Sequence, residues 1–289
     1  MEKKNFCFQA ALIILAVFVS TAGADVLDPY DNMASPPGSL ILVNYAGYMC
    51  GNNFYDQNGD KVGEFDLDYI YYVLRPVYTM KNKLFGHTWG FNAALPLASI
   101  EYKPELNKKK SASGLGDIVV GPFVFLYENE KTGTYLSLWE FIYTPTGSWD
   151  KNDSVNVGYH TWWFQHQVAY GQYWKKYALD ICLNYWQKLE EQDHNYKEPD
   201  AFEFESIFTY NLTDKFYLAA HFDWWKSLEN AESDGHDIHN SKTDFIKVGA
   251  NLGYTINDKM GVNIRFMHDV EAQNYWKGPW VYLRLYFCY

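Results

Sequence analysis

The run from Gly114 to Gly147, GLGDIVVGPFVFLYENEKTGTYLSLWEFIYTPTG, constrains the fold more than any other stretch. Between Asp117 and Tyr127, Ile118, Val120, Val124 and Leu126 share one parity, while Asp117, Val119, Gly121, Phe123 and Phe125 share the other. Period two with unlike faces is a strand rather than a helix. A polar turn, Glu128 to Thr132, leads into a second extended run, Tyr135 to Thr144. Each run has the roughly nine to eleven residues that a tilted membrane-crossing strand needs. Pro122 sits mid-strand, where a paired central strand tolerates it only at a bulge.

The same unit recurs along the chain. Candidate strands fall at 39–50, 64–79, 88–100, 116–127, 134–144, 158–173, 176–187, 201–211, 215–226, 244–256, 259–270 and 279–289. Twelve is an even number, as bacterial membrane barrels require. The connections alternate in length. Met80–His87, Glu128–Gly133, Trp174–Lys175, Leu212–Asp214 and Asn257–Asp258 are short. Gly51–Gly63, Glu101–Leu115, Pro145–Val157, Lys188–Asp200, Ser227–Thr243 and Glu271–Gly278 are longer and polar. Short periplasmic turns and long external loops are the rhythm of an outer-membrane barrel, and a soluble sandwich has no reason to keep it. The expected fold is therefore all-β: a transmembrane antiparallel β-barrel of about twelve strands, up-and-down, with both termini periplasmic.

Composition agrees. Aromatic residues make up 19% of the chain, with 25 Tyr, 19 Phe and 11 Trp, as interfacial girdles demand. Mean hydropathy is only −0.35, since a barrel strand needs an apolar side chain at every second position. The formal charge of −11 argues against a nucleic-acid partner.

Residues 1–24 read as a secretory signal, with Lys3 and Lys4, an apolar centre from Ala10 to Val19, and Ala22-Gly23-Ala24 at the cleavage site. The alternative, a membrane anchor, suits this short apolar core less well. Residues 25–38 carry Pro29, Pro36, Pro37 and Gly38 without periodicity, an irregular leader to a barrel spanning 39–289. Cys50, Cys182 and Cys288 show no metal or redox spacing, and one disulfide among them stays open. The closing Phe287-Cys288-Tyr289 ends an alternating strand on an aromatic residue, the signal that barrel assembly machinery reads.

A charge facing lipid at mid-bilayer costs about 2–4 kcal/mol for Arg or Lys, so the charged parity of each strand is expected to face the lumen. This gives inward acids Asp66, Asp68, Asp117, Asp180, Glu203, Glu205 and Asp223, and inward bases Lys247, Arg265 and Arg284, with His221 beside them. The bases are expected to pair with the carboxylates. The net acidic interior disfavours anionic solutes. Inward aromatics are Tyr72, Phe123, Phe125, Trp163, Trp186, Trp225, Tyr282 and Tyr286. They would guide neutral aromatic solutes by stacking, or simply fill a small barrel. Two strands obey the parity rule badly: His166 falls with Phe164 and Val168, and Glu140 lies in a strand apolar on both faces.

Other chemistry is thinly represented. A lipid hydrolase would need a Ser activated by His, and the nearest arrangement, His239-Asn240-Ser241, lies in a polar loop. His236, His239 and nearby acids, or Glu190, Glu191, Asp193 and His194, offer metal-ligand types, but short loop spacing favours plain solvation, so no metal or cofactor is expected. Lys108 to Lys110 would meet lipopolysaccharide phosphates if external, or serve only solubility.

Several motifs occur in order: Pro96 after FNAALPLA, GLGD at 114–117, Pro122, YTPTG at 143–147 and NVGYHTWW at 156–163. With these the chain resembles the "MetA-pathway of phenol degradation" (SphA-like) family of outer-membrane channels, loosely from Ser39 to Tyr289 and most clearly over 90–163. The resemblance implies a monomeric twelve-stranded barrel in the bacterial outer membrane. It also implies a narrow lumen, entered by the segment before the first strand, that takes up small hydrophobic or aromatic compounds. The 188–243 region, rich in Asp, Glu and His, departs from that pattern. Alternatives are a structural or adhesive barrel whose loops bind a partner, and a lipid-hydrolysing barrel.

Overall fold

The computed structural model describes residues 27–104 and 110–289. The leader 1–24, Asp25, Val26, Lys108 and Lys109 lie outside the described residues. Twelve antiparallel strands close on themselves. They are β1 (Leu40–Tyr55), β2 (Lys61–Thr79), β3 (Trp89–Pro104), β4 (Lys110–Leu115 with Val119–Asn129), β5 (Thr134–Tyr143) and β6 (Trp163–Tyr173). Then follow β7 (Tyr177–Lys188), β8 (Ala201–Asn211), β9 (Phe216–Ser227), β10 (Asp244–Asn257), β11 (Met260–Gln273) and β12 (Pro279–Cys288). Each strand pairs with its sequence neighbours, and β12 pairs with β1 from Ile41↔Cys288 to Met49↔Trp280. Among the described residues closure pairs every strand of the ring on both sides except Lys110–Leu115, which pairs only with β3; pairing on both sides is the condition for a sheet in hydrocarbon. Leu40 and Tyr289 exchange backbone hydrogen bonds of 3.2 and 2.9 Å, so both ends of the barrel chain lie at the short-turn end.

All twelve expected strands are present, with informative shifts at their ends. β1 and β2 run on to Tyr55 and from Lys61, so the connection expected at 51–63 shrinks to a tight turn. β11 likewise runs to Gln273, and Tyr275–Lys277 pairs with the end of β1. β6 begins at Trp163 rather than 158, and the preceding residues instead tuck Tyr159 and Thr161 into the mouth. The fourth strand is broken at 116–118. Its first half pairs with β3 over Leu97–Tyr102, its second with β3 over Trp89–Ala94 and with β5. Pro122 falls where the β4–β5 ladder skips from Val120 to Phe123, which answers how an interior proline is tolerated.

Burial alternates along nearly every strand. The outer face carries an apolar belt that includes Ile70, Leu97, Leu183, Leu252, Ile264 and Phe266. Inside, aromatic rings lie flat against neighbouring strands. Gly47 allows one such contact, since a Cβ there would come within 2.2 Å of the Tyr71 ring. Three inward assignments are corrected. On β2 the buried parity is Leu67, Tyr69, Tyr71, Val73 and Arg75, so Asp66, Asp68 and Tyr72 face outward. The long strand overshoots the apolar belt at its loop end, where Asp66 is exposed and Asp68 accepts a hydrogen bond from Tyr48. Carboxylates at that height meet water rather than acyl chains, so the charge rule loses its force there. Arg75, on the opposite parity, carried the correct signal.

The two misfits resolve each other. His166 and Glu140 both sit on the outer face, cross-strand neighbours joined at 2.7 Å between Nδ1 and Oε2. The His166 ring also stacks on Tyr185 at 5.8 Å.

Leu183 lies mid-strand and faces out, so Leu183→Arg should lower stability in lipid vesicles by about 2–4 kcal/mol in urea titrations. Asp66→Asn, by contrast, should stay within about 0.5 kcal/mol of the wild type.

Candidate functional site: the lumen

The bore has two unlike halves. Among the described residues the buried charges of the wall gather on β7 to β12: Asp180, Lys188, Glu203, Glu205, Asp223, Lys247, Arg265, Asp269 and Arg284. On β1 to β5 and the break at 116–118 only Arg75 and Asp117 are buried charges among the described residues, and apart from the polar Thr79, Asn92 and Ser137 the lining is mainly aromatic or aliphatic, with Tyr71, Val73, Ile100, Val119, Phe123, Phe125, Trp139, Phe141 and Tyr143. The charged half is largely self-satisfied. His221 Nε2 lies 3.1 Å from Glu205, Lys247 Nζ 3.6 Å from Asp223, and Trp186 Nε1 donates to Glu203 at 3.0 Å. Paired in this way, buried charges avoid most of the penalty that isolated ones would carry.

Across this bore runs the N-terminal segment. Asp28 is fully buried at its centre. Its Oδ1 accepts from Arg265 Nη2 at 2.9 Å, Asn263 Nδ2 at 3.1 Å and Tyr282 Oη at 3.3 Å, and its Oδ2 lies 3.2 Å from Arg284 Nε. Arg265 also donates to the Leu27 carbonyl. Asp31 faces Arg284 at 2.6 Å and Arg75 at 3.8 Å. The other side of the segment reaches β7 and β8. Tyr30 N and Asn32 N donate to Asp180 at 3.0 and 3.3 Å, and Tyr30 Oη donates to Asn211 at 2.7 Å. Asn32 Nδ2 donates to the carbonyls of Tyr170 and Ile181. Leu27–Asn32 is thus pinned to opposite walls. Below it, toward the short turns, a cavity of about 410 Å³ is bounded by Arg75, Phe123, Trp139, Arg284 and Tyr286.

Toward the long-loop end the inward rings form a row. Trp163 approaches Tyr143 at 6.4 Å, Tyr143 approaches Trp186 at 5.4 Å, and Trp186 approaches Trp225 at 5.3 Å. Phe245 and Tyr275 continue it. Lys188 Nζ sits 4.3 Å from the Trp163 ring centre and 2.8 Å from Glu198. Lys247 Nζ sits 3.9 Å from Phe245. Such cation–ring contacts hold a desolvated ammonium in place. Burial pushes the Glu198 carboxyl up to about 7, against the opposing pull of Lys188.

The short motifs come together at the strand break. The Asp117 carboxylate accepts backbone N–H bonds from Gly147 and Tyr159, both at 2.7 Å. GLGD, YTPTG and NVGYH therefore form one clasp that folds the 144–162 connection onto the mouth. Asp117 is placed as a backbone anchor rather than as a group presented to the bore.

Of the expected lining residues, Phe123, Phe125, Trp163, Asp180, Glu203, Glu205, His221, Asp223, Lys247, Arg265, Tyr282 and Arg284 are buried, while Asp66 and Asp68 lie outside. Asp269, on the charged parity of its strand with Arg265, is buried as that parity implies, whereas reading the sequence missed Arg75, Lys188 and the partners Asp28 and Asp31. Parity on β2 and β7 carried the signal for Arg75 and Lys188; nothing in a proline-rich leader signals Asp28 and Asp31. No disulfide joins Cys50, Cys182 and Cys288 to one another among the described residues. Ser241 Oγ accepts from Ala231 N at 2.7 Å, and no hydrogen bond joins it to His239 among the described residues. The loop acids and imidazoles near 190–194 bond to one another, with His194 Nδ1 on Glu191 at 3.0 Å.

The fold and this plugged, two-faced bore define an outer-membrane-type β-barrel. The family described as "Putative MetA-pathway of phenol degradation" matches residues 51–285, and the chain belongs to it. Its structure is similar to the COG4313 outer-membrane channel of Pseudomonas putida F1, with TM-score 0.84, 20% identity, and coverage of 91% of this chain and 100% of that one. Weaker likeness reaches the transport unit of the Escherichia coli autotransporter AIDA-I, with TM-score 0.54, 11% identity and 96% of each chain. The Bordetella autotransporter BrkA β-domain gives TM-score 0.52 and 8% identity over 88% of this chain and 100% of that one. No curated protein matches the sequence.

Asp28→Ala strands Arg265 and Arg284 without their shared counter-ion, so amides 27–32 should lose most of their hydrogen-exchange protection while strand amides keep theirs. Glu198 has its folded value raised above the ordinary 4.5, so its charged form is the disfavoured one in the folded state. Stability should therefore fall as pH rises from about 4.5 to 7 and then level off. Glu198→Gln should abolish that slope in urea titrations at stepped pH.

Proposed function

We propose that this barrel lets small, uncharged, hydrophobic or aromatic molecules pass passively across the outer membrane. In this reading the short turns and both termini face the periplasm, and Leu27–Asn32 is the constriction. The observation that carries it is the division of the bore: a mainly aromatic and aliphatic wall on β1 to β5 opposite a wall whose charges are already hydrogen-bonded or ion-paired. A ring slides along the first wall by stacking and apolar contact. The second wall offers few unsatisfied charges, so an ion gains little there to offset its lost hydration. A basic ladder for anionic solutes is absent from the described residues, because Arg75, Arg265 and Arg284 each face a carboxylate of the N-terminal segment. The metabolic link in the family's description fits solutes of this kind.

The test is uptake by proteoliposomes. The full chain should admit benzyl alcohol faster than protein-free vesicles, with glucuronate admitted no faster than background. Asp28→Ala should raise the rate several-fold by loosening the constriction. A barrel that serves only as a structural or adhesive element would show no uptake above background in either form, and that result ends the proposal.

A further inference from the structure

Above the bore, three long connections enclose a second cavity of about 360 Å³. Trp149 and Tyr159 come from the 144–162 connection, Glu191, Tyr196 and Glu198 from the connection after β7, and Ser233 from the one after β9. A small sheet ties the last two connections together, pairing Glu232 and Ser233 with Lys197 and Tyr196. The Asp117 clasp holds the first. The volume falls within the range of small-molecule sites.

Its chemistry is specific. Tyr159 and Trp163 are 7% and 1% exposed, and the Tyr159 hydroxyl and the Trp163 and Trp149 indole N–H groups have no hydrogen-bond partner among the described residues. Buried donors left without acceptors are costly, and the three residues that carry them all line one cavity. Two of the three carboxylates that share the wall, Glu191 and Glu198, are already engaged. Glu191 accepts from Asp193 N at 2.7 Å and His194 N at 2.9 Å, and Glu198 is paired with Lys188 at 2.8 Å. With Asp153 they outnumber the one ammonium on the wall, Lys151, and so disfavour an anion. The walls are flat rings, with Tyr159 stacked on Trp163 at 3.7 Å. Trp163 is also the first ring of the row that leads into the bore.

We infer that this vestibule is a capture site for a neutral aromatic molecule bearing an oxygen acceptor, a carbonyl or ether oxygen, bound before it enters the lumen. The ring would lie against the indole and phenol faces while the oxygen accepts from the unpartnered donors. The inference rests on the channel reading for its purpose, but binding is measurable without transport.

Acetophenone, a ring with an acceptor and no donor, is the probe. The full chain in nanodiscs is titrated calorimetrically, with protein-free nanodiscs subtracted. Acetophenone should bind saturably at one site. Ethylbenzene, which lacks the acceptor, should bind at least tenfold more weakly, and benzoate should not bind. Tyr159→Phe removes only the hydroxyl and leaves the backbone N–H on Asp117. It and Trp149→Phe should each weaken acetophenone about fivefold, with heat-modified gel mobility showing that the barrel has folded. No saturable binding, or binding equal for ethylbenzene and unchanged in both variants, overturns the site. Acetophenone uptake by proteoliposomes separates the two claims: uptake without saturable binding removes the vestibule and keeps the channel, and binding without uptake does the reverse.

Discussion

One carboxylate facing two guanidiniums organises the inside of this molecule. Asp28 sits with no exposure between Arg265 and Arg284, and the residues that follow it, Tyr30 and Asn32, reach the far wall through Asp180. A cylinder of twelve strands is too wide for wall side chains alone to fill at native packing density. The chain solves this by supplying its own filler, and charge complementarity fixes where that filler lies. Asn263 and Tyr282 complete the shell around the same oxygen, which spreads the cost of burial over several strands.

The two halves of the wall follow from this arrangement. Charges collect on β7 to β12, where the segment's acids and backbone donors need partners, and the opposite strands are free to be aromatic. The mouth has its own counterpart of the central carboxylate. Asp117 holds Gly147 and Tyr159 across a break in the fourth strand, replacing a stretch of sheet ladder with a single side chain. Gly147 and Gly158 approach so closely there that a Cβ on Gly147 would lie 2.6 Å from the Gly158 Cα.

Most of the cylinder was legible in the sequence, because alternation, turn spacing and the cost of charge in lipid all act locally. Ile264 against Arg265, or Leu283 against Arg284, states a face in two residues. Where the rule failed, a physical condition had lapsed. Asp66 and Asp68 lie beyond the apolar belt, so lipid did not discipline them. Glu140 and His166 neutralise each other on the outer face, a pairing that depends on strand register and is invisible to parity. The site was legible only on the wall. Asp28 and Asp31 meet Arg265 and Arg284 across more than 200 positions of sequence, and nothing local in an aperiodic leader announces such a contact. Lys188 and Glu198 met through a loop whose path no spacing encodes.

The position of the segment before β1 has a topological consequence. Leu27–Asn32 reaches the interior by doubling back from the open rim where Leu40 and Tyr289 meet, and none of its bonds belongs to the cylinder's own ladder. Withdrawing it would therefore break no strand pairing of the ring, while stripping Arg265 and Arg284 of Asp28. The stopper is held to the bottle by side chains and not by the hydrogen bonds that make the bottle.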